Sequence, residues 1–337
     1  MKAVAYQTAG KLDRADSLRD VELEKPVAKG RDLLVQVEAI AVNPVDYKIR
    51  KGVSAEPGQW KVLGWDAVGT VVETGEAVEN FKIGDKVWYA GSYIRQGANS
   101  EFGLVDERIA GTPPASISNS QAAGLPLTSI TAWEMLFDRL DIRKPVPGAA
   151  NAVLIIGGAG GVGSIAIQLI RALTELTVIA TASRPETQDW VKELGAHHVI
   201  DHSKPLAQQV EALGIGAPAF VFSTTQTMDH FNEIVSLIAP QGRFGLIDDF
   251  DTFDVAPLKR KSVSIHWEMM FTRPVFETAD MNEQGKLLNE VARLIDAGKI
   301  KTTVTEVMSP INAVNLKAAH GVLESGKAKG KIVLEGW

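Results

Sequence analysis

A glycine-rich segment follows an apolar run in the middle of the chain. Residues 153–157 read Val-Leu-Ile-Ile-Gly, and Gly158, Gly160 and Gly163 then follow with the spacing Gly-x-Gly-x-x-Gly. Apolar residues recur at helical spacing after the turn, at Val162, Ile165, Ala166, Leu169, Ile170 and Leu173. A strand, a glycine turn and an amphipathic helix in this order are typical of dinucleotide-binding proteins, whereas the glycine pattern alone is a weak signal.

Each of the three glycines has a predicted role. Gly158 permits a tight turn, Gly160 lets the backbone approach a pyrophosphate, and Gly163 lets the helix pack closely on the strand. The phosphates are expected at the helix N-terminus, where unpaired N–H groups and the helix dipole favour anions. The segment therefore predicts a binding site for a dinucleotide.

The end of the second predicted strand indicates which dinucleotide binds. Thr177–Ala182 is followed by Ser183 and Arg184, roughly 20 residues after Gly163, where an acidic residue holds the ribose 2′-hydroxyl in NAD-binding proteins. No acidic residue stands at this strand end. A hydroxyl beside a guanidinium suits a phosphate, because Arg offers forked donors and a permanent charge. We therefore expect NADP(H); the alternative is that Arg184 is a solvated residue at the start of a helix.

The elements that must position these residues fall into two regions. Residues 1 to about 120 alternate apolar and polar residues in short runs such as Leu33–Ile40 and Gly69–Glu73, which predicts a β-rich barrel or sandwich. From about residue 125, apolar strands alternate with helices, which predicts an α/β unit with a doubly wound parallel sheet. Its six strands are expected at 153–157, 177–183, 197–201, 219–223, 243–248 and 262–267.

The last part of the chain does not continue the parallel sheet. Helix-like segments at 281–297 and 313–325 flank Thr302–Val307, and Lys331–Leu334 closes the chain. This tail is too short for a domain of its own, so we expect it to complete the first one. Two domains agree with a chain of 337 residues, because single cores rarely grow beyond about 250–300 residues. The predicted domains are 1–124 completed by 268–337, and 125–267.

Composition excludes several classes of function. The formal net charge of −6 provides no basic surface for nucleic acid. The chain contains no cysteine, which excludes disulfides, cysteine nucleophiles and thiolate metal sites. No run approaches the ~20 apolar residues that a membrane span needs. We therefore expect a cytoplasmic protein whose partners include neither nucleic acid nor a membrane.

Several further motifs occur in a fixed order along the chain. They are Val42–Gly52, Leu63–Val71, Gly84–Val87, Leu125–Trp133, Leu194–Ala196 and Gly330–Leu334, with the glycine segment between them. On these motifs the chain resembles the medium-chain dehydrogenase/reductases over essentially its whole length. Within them it is similar to the quinone oxidoreductase-like branch and to a subgroup called zinc-type alcohol dehydrogenase-like. The resemblance implies a GroES-like catalytic domain, a Rossmann domain, an active site in the cleft between them, and a homodimer.

The residues that a zinc site needs are missing from these motifs. In zinc-dependent relatives a Cys stands at the position of Asn43 and a His at that of Trp65, and none of the six histidines lies in the first-domain motifs. Catalytic zinc takes about three nitrogen, sulfur or oxygen ligands from the protein. Asp46, Asp66 and Glu101 offer an oxygen set, which suits harder cations. We expect no metal; a metal-assisted alcohol or carbonyl dehydrogenase is the alternative.

Without a metal, the resemblance implies hydride transfer from NADPH to an electrophilic quinone or α,β-unsaturated carbonyl. Such a reaction needs hydrogen-bond donors for the developing oxyanion and a proton source. Asn43 is expected to face the nicotinamide and donate to the substrate oxygen, and Tyr47 is the candidate proton donor, with a packed aromatic as the alternative. Asp46 is a candidate for the active-site wall, and Thr131 matches a family threonine near the nicotinamide. Arg50 is expected to pair with Asp46, one helical turn before it.

The resemblance also assigns residues to the cofactor. They are Gly158, Ala159, Gly160, Gly161, Val162, Gly163, Ser183, Arg184, His202 and Ile247. His202 replaces a Tyr that packs near the adenosine in quinone reductases, and it is also a candidate contact of the 2′-phosphate. Ile247 is expected near the nicotinamide, and Trp267–Phe271 at the substrate mouth or the dimer seam. A non-catalytic NADPH-binding sensor or structural protein is the alternative from another class.

Overall fold

The computed structural model describes residues 1–337, which divide into two compact units. Unit 1 comprises Met1–Ile130, Phe271–Gly298 and Thr302–Trp337, and unit 2 comprises Thr131–Met270 and Lys299–Lys301. Most of the chain after residue 270 therefore belongs to the unit that begins at the N-terminus.

Sixteen strands form the sheets of the two units. In chain order they are β1 (Lys2–Tyr6), β2 (Arg19–Glu22), β3 (Asp32–Ala41), β4 (Lys61–Val62), β5 (Ala67–Thr74), β6 (Lys86–Tyr89), β7 (Phe102–Asp106), β8 (Ala110–Gly111), β9 (Ala150–Ile156), β10 (Thr177–Thr181), β11 (His198–Ile200), β12 (Pro218–Ser223), β13 (Arg243–Leu246), β14 (Ser264–Trp267), β15 (Val304–Met308) and β16 (Lys331–Glu335).

Ten α-helices connect and cover these strands. They are α1 (Pro44–Gly52), α2 (Asn119–Ala123), α3 (Pro126–Trp133), α4 (Gly161–Leu173), α5 (Pro185–Glu193), α6 (Leu206–Ala212), α7 (Thr227–Leu237), α8 (Thr272–Phe276), α9 (Glu283–Asp296) and α10 (Ala313–Glu324). A π-helical segment, Glu134–Arg139, continues α3 directly, and short 3₁₀ helices occur at Glu107–Ile109 and Ala256–Lys261. None of the ten helices is both long and apolar enough to span a bilayer.

Unit 2 is built on a six-stranded parallel sheet with the strand order β11-β10-β9-β12-β13-β14. Every residue of β12 is buried, as is typical of parallel strands that are covered on both faces. The chain builds outward from β9 to β11 and then places β12 to β14 on the other side of β9. The strand order reverses between β9 and β12. In doubly wound sheets, ligands bind at this point, at the carboxyl ends of the strands.

Unit 1 contains a seven-stranded sheet and a three-stranded sheet. The larger sheet has the order β15-β16-β3-β5-β6-β8, with β7 also paired to β3, and the smaller one has the order β2-β1-β4. Strand β16 pairs antiparallel with β3, with Val333 opposite Ala41. The last strand of the chain thus joins the sheet that the N-terminal residues build.

The α/β class expected from the sequence is confirmed by these sheets. The strands of the parallel sheet lie close to their predicted positions; the largest difference is at β9, which begins at Ala150 rather than at Val153. The helices expected at 281–297 and 313–325 are α9 and α10. The periodic apolar pattern therefore located the elements, and the differences concern only their ends.

Arg50 connects α1 to α10 within unit 1. Its Nη2 pairs with the Glu324 carboxylate, its Nη1 donates to the Gly10 carbonyl at 2.7 Å, and its Nε donates to His320 Nδ1 at 3.4 Å. The expectation that Arg50 pairs with Asp46 is wrong. The Asp46 carboxylate turns instead toward the N-terminus of α1, where it accepts backbone N–H groups.

His320, buried beside Arg50, predicts that acid destabilises unit 1. Burial and the Arg50 charge lower the pKa of His320 to about 3, from about 6.5 in an unfolded chain. At a pH between these two pKa values, only the unfolded chain binds this proton. The contribution of neutral His320 to the free energy of unfolding is therefore fully present above pH 6.5 and declines as the pH falls. We expect wild-type protein to lose about 2 kcal/mol of unfolding free energy between pH 7.5 and pH 5 through this residue. Urea unfolding should show a smaller loss for His320→Gln, and equal losses would contradict the assignment.

Candidate active site

The glycine segment of unit 2 lies between β9 and α4. Strand β9 ends at Ile156, Gly157 has a positive φ of +81°, and Gly160 is the N-cap residue of α4. Gly160 has no side chain, so the first N–H groups of α4 donate no hydrogen bond to a side chain of the N-cap residue. This helix end therefore suits an anionic group.

Steric contacts explain why glycines occupy this turn. A Cβ on Gly163 would lie 2.3 Å from the Gly157 carbonyl oxygen, so the helix packs on the turn without room for a side chain. A Cβ on Gly160 would meet only the Gly157 oxygen, at 3.5 Å, which leaves this face open. Gly158 lies in the tight turn as expected, because the Gly160 N–H donates to the Gly157 carbonyl at 3.1 Å. The left-handed residue is Gly157, and a Cβ on Gly158 would lie 2.9 Å from the Ala180 Cβ.

Ser183 and Arg184 follow β10 at the same edge of the sheet as the glycine turn. Because β10 is the parallel neighbour of β9, the carboxyl ends of both strands lie at one edge. Thr181 Oγ1 accepts a hydrogen bond from the Gly157 N–H at 3.0 Å and holds the strand end to the turn. Arg184 is the N-cap residue of α5, and its Nε pairs with Glu186 Oε1 at 2.8 Å. These positions fit a dinucleotide whose phosphates lie at α4 and whose adenosine ribose lies near β10.

The remaining predicted cofactor residues also lie around this edge. Ala159 lies in the glycine turn, and Gly161 and Val162 begin α4. His202 follows β11, and Ile247 directly follows β13. All five are near the carboxyl ends of parallel strands, and their contacts with a cofactor stay predictions.

Unit 1 contains a buried polar cluster of Asn43, Asp66 and Lys331. The Asn43 Nδ2 donates to Asp66 Oδ2 at 2.8 Å. The Lys331 Nζ donates to the same oxygen at 3.0 Å, to the Val42 carbonyl at 2.9 Å, and to Asn43 Oδ1. The other Asp66 oxygen accepts from the Leu127 N–H at 2.7 Å. All three side chains are buried, so these bonds replace the water that each polar group lost on folding.

The charges of this cluster depend on one another. Burial raises the pKa of Asp66, and the Lys331 ammonium and the Asn43 amide oppose that rise by stabilising the carboxylate. A buried charge without a partner is strongly destabilising, whereas a paired and hydrogen-bonded one is tolerated. The ammonium and the carboxylate therefore require each other, and Asn43 is held between them.

Asp46 supports this cluster from the first turn of α1. Its Oδ2 accepts from the Asn43 N–H at 2.6 Å, and its Oδ1 accepts from the Gly64 N–H at 3.2 Å. The first bond belongs to a capping box at the start of the helix. Burial raises the pKa of Asp46 to about 7. Asp46 thus contacts the backbone of Asn43, and its place in an active-site wall stays a prediction.

The other two catalytic candidates lie outside the cluster. Tyr47 is a partly exposed residue of α1, and the Lys51 Nζ lies 4.9 Å from its ring centroid. Thr131 lies on α3 and is only 5% exposed. The roles of Tyr47 as proton donor and of Thr131 beside the nicotinamide stay predictions.

Trp65 packs in an aromatic group of unit 1. Its Nε1 donates to the Ser92 carbonyl at 3.1 Å, and its ring meets Phe271 edge-on at a centroid distance of 6.2 Å. Tyr93 meets the same Phe271 ring at 5.3 Å. The indole has one N–H donor and no lone pair for a cation, so this position offers no ligand to a metal.

The donors around Asn43 do not fit a zinc ion. Asn43 and Trp65 supply neither thiolate nor imidazole, and both Asp66 oxygens accept N–H bonds. Glu101, the third carboxylate of the oxygen set, accepts from the Lys2 N–H at 2.7 Å instead. Among residues 1–337, no three His, Asp or Glu side chains come together in an arrangement that could hold a metal.

Sequence reasoning missed Lys331, although a signal for it exists. The residue begins β16, where Lys331 and Val333 lie two positions apart and therefore on one face of the strand. Val333 is fully buried, so a lysine on that face has to be paired. The apolar residues of β16 are evident in the sequence. The partner of Lys331 lies 265 residues away, so no pattern near Lys331 in the sequence indicates it.

Both units contain segments that match known protein families. Residues 29–123 match the alcohol dehydrogenase GroES-like domain, and residues 194–334 match the zinc-binding dehydrogenase family. The first match covers the strands of the seven-stranded sheet from β3 to β8, and the second begins within the parallel sheet and ends in β16.

Two curated relatives illustrate the range of similarity. A zinc-type alcohol dehydrogenase-like protein of Staphylococcus aureus is 40% identical over 99% of both chains. A chloroplastic quinone-oxidoreductase homolog of Spinacia oleracea is 36% identical, over 61% of this chain and 62% of its own.

Solved structures show the same fold over the full length. A structure from Rhizobium etli, whose name assigns it provisionally to the zinc-dependent alcohol dehydrogenases, has 62% identity and a TM-score of 0.99, and covers 100% of this chain and 98% of its own. A mycobacterial protein in complex with NADPH has 25% identity and a TM-score of 0.82, with 99% of both chains covered. The chain therefore belongs to the medium-chain dehydrogenase/reductase superfamily of oxidoreductases, in its quinone oxidoreductase-like branch.

Proposed function

We propose that this protein transfers hydride from NADPH to a quinone or an α,β-unsaturated carbonyl and that it does so without zinc. The observation that carries the proposal is the cluster of Asn43, Asp66 and Lys331. It has an amide at a position where zinc-dependent relatives have a metal ligand, and a buried ion pair holds that amide. A site of this kind polarises an acceptor by hydrogen bonds instead of a Lewis acid. Acceptors that are already electrophilic suit it best.

The cofactor supplies the hydride when it is bound. The N-terminus of α4 and the open face at Gly160 are the proposed position of its pyrophosphate. Ser183 and Arg184 are the proposed contacts of its 2′-phosphate, because a hydroxyl and a guanidinium follow β10 where an NAD-binding protein has an acid. The NADPH complex of the mycobacterial relative agrees with this choice.

Asn43 is the proposed donor to the acceptor oxygen. Its Oδ1 accepts from Lys331, and its Nδ2 gives one hydrogen to Asp66, so the plane of the amide is fixed. An amide nitrogen carries two hydrogens, and we assign the second one to the oxygen on which negative charge develops. A donor that is already oriented needs no reorganisation during the reaction, which is why it lowers the barrier. Tyr47, on the same helix, is the proposed proton source.

Turnover with a panel of acceptors tests the reaction. Protein purified without added zinc and treated with a chelator is expected to oxidise NADPH with phenanthrenequinone and with enals, and to leave simple alcohols unreacted in the presence of NADP⁺. Metal analysis of the same sample checks its zinc content. Activity that disappears on chelation and returns with zinc would reject zinc independence. Cofactor binding without turnover of any acceptor would reject the enzyme itself.

Arg184→Ala tests the choice of cofactor. Loss of a charge-assisted contact to the 2′-phosphate removes about 1.5 kcal/mol or more from NADPH binding, so the preference for NADPH over NADH should fall about tenfold. Lys192→Ala, an exposed position at the other end of α5, is the matched control and should leave the preference unchanged. Steady-state kinetics with both cofactors measure the ratio, and an unchanged ratio in the Arg184 variant rules out this contact.

Lys331→Met tests the buried pair and its effect on Asn43. The substitution leaves the Asp66 carboxylate without its cation, and we expect the free energy of unfolding to fall by about 3–5 kcal/mol. Adding Asp66→Asn removes the second charge and should recover most of this loss.

The double variant then separates catalysis from stability. In the double variant the Asn43 amide loses its fixed orientation. The kcat with the quinone should therefore fall, while the KM for NADPH stays the same. Urea unfolding and steady-state kinetics measure the two effects. A Lys331→Met protein within about 1 kcal/mol of wild type would contradict the pairing.

A further inference from the structure

Three side chains that can carry positive charge lie around one corner of the parallel sheet in unit 2. Arg184 follows β10 and His202 follows β11, which is the parallel neighbour of β10. His230 lies on the first turn of α7, and its ring centroid is 6.3 Å from that of His202. Neither family motifs nor sequence spacing indicated His230.

The two imidazoles are held in surroundings that disfavour their protonation. The Nδ1 of His202 is buried and has no hydrogen-bond partner. Burial lowers the pKa of His202, His230 and Arg184 lower it further, and only Asp201 acts in the opposite direction. Burial also lowers the pKa of His230, against the opposing charges of Asp229 and Glu233.

The nearby carboxylates are engaged by other groups. Asp201 Oδ1 accepts from the Ser203 N–H at 2.9 Å and from the Ser203 hydroxyl at 2.7 Å. Asp201 Oδ2 lies 3.6 Å from the Lys204 Nζ. Glu233 Oε2 accepts from the Ala207 N–H at 2.8 Å. The corner therefore combines two imidazoles with the Arg184 guanidinium, which also pairs with Glu186, while Asp201 and Glu233 accept hydrogen bonds from other groups.

We propose that His202 and His230, together with Arg184, form a proton-linked site for a phosphomonoester dianion, the 2′-phosphate of NADPH. The inference rests on the proposed use of NADPH and adds a regulation of that site. A phosphomonoester carries a charge of about −1.5 to −2 at neutral pH, so its arrival favours the charged form of each imidazole. The neutral imidazoles of the free protein can accept a proton. Binding of NADPH then takes up a proton from solution.

This linkage makes the choice of cofactor depend on pH. A bound phosphate raises the pKa of both imidazoles, so NADPH affinity falls as the pH rises through their raised values. NADH lacks the 2′-phosphate and should bind with an affinity that does not follow these two groups. The preference for NADPH over NADH therefore increases as the pH falls from alkaline to neutral.

Calorimetric titration measures the proton directly. NADPH and NADH are titrated into the whole protein at about pH 7.5, where the free phosphate is almost completely dianionic because its second pKa is about 6. Repeating each titration in buffers of different ionisation enthalpy gives the number of protons taken up. We expect net uptake with NADPH and none with NADH.

Single variants assign the proton to the two histidines. His202→Asn and His230→Asn should each reduce the uptake with NADPH, and a cooperative urea unfolding transition like that of the wild type shows that each variant is folded. His266→Asn is the matched control, because this half-buried histidine lies on β14 at the opposite edge of the same sheet. It should leave the uptake unchanged.

The outcomes distinguish this inference from the function on which it rests. NADPH binding without proton uptake, or with uptake that both histidine variants retain, overturns the inference and leaves NADPH use intact. A protein that does not bind NADPH overturns both.

Discussion

The buried ion pair between Lys331 and Asp66 is the interaction on which unit 1 depends most. It joins residues that are 265 positions apart, and it also holds the Val42 carbonyl, the Asn43 amide and the Leu127 N–H in one hydrogen-bonded group. Such a pair is tolerated only while it is complete, since either charge alone in an apolar interior is strongly destabilising. The last strand of the chain must therefore return to the first sheet before the motif around Asn43 is stable.

The same pair also determines what chemistry this part of the protein supports. The Lys331 ammonium compensates the Asp66 carboxylate, and both Asp66 oxygens already accept hydrogen bonds. Its hydrogen bonds fix the amide of Asn43, and the capping contact from Asp46 fixes the backbone beside it. In the function that we propose, this oriented amide is a hydrogen-bond donor at a position where zinc-dependent relatives have a metal ligand.

The sequence predicted those features that leave a local pattern. The parallel sheet appears in runs of apolar residues, and the glycine turn appears in its spacing, because both depend on neighbours in the chain. Gly158 lies in the turn as its spacing predicts, whereas the positive φ of Gly157 is not part of that spacing and appears only in the structure. The partners of Arg50 and Lys331 left no local pattern, because each comes from a distant segment that burial selects.

The carboxyl edge of the parallel sheet differs in charge from one end to the other. After β14, burial and the neighbouring Glu134 raise the pKa of Glu268, and the Arg139 guanidinium opposes that rise. Arg139 Nε lies 2.9 Å from Glu268 Oε2. Two glutamates and one guanidinium therefore meet at that end, whereas Arg184 and the two histidines lie at the β10–β11 end. NADPH, the cofactor that we propose, carries a phosphomonoester at its adenosine end and an uncharged dihydronicotinamide at the other. The distribution of charge supports the proposed orientation, with the adenosine end at β10 and β11.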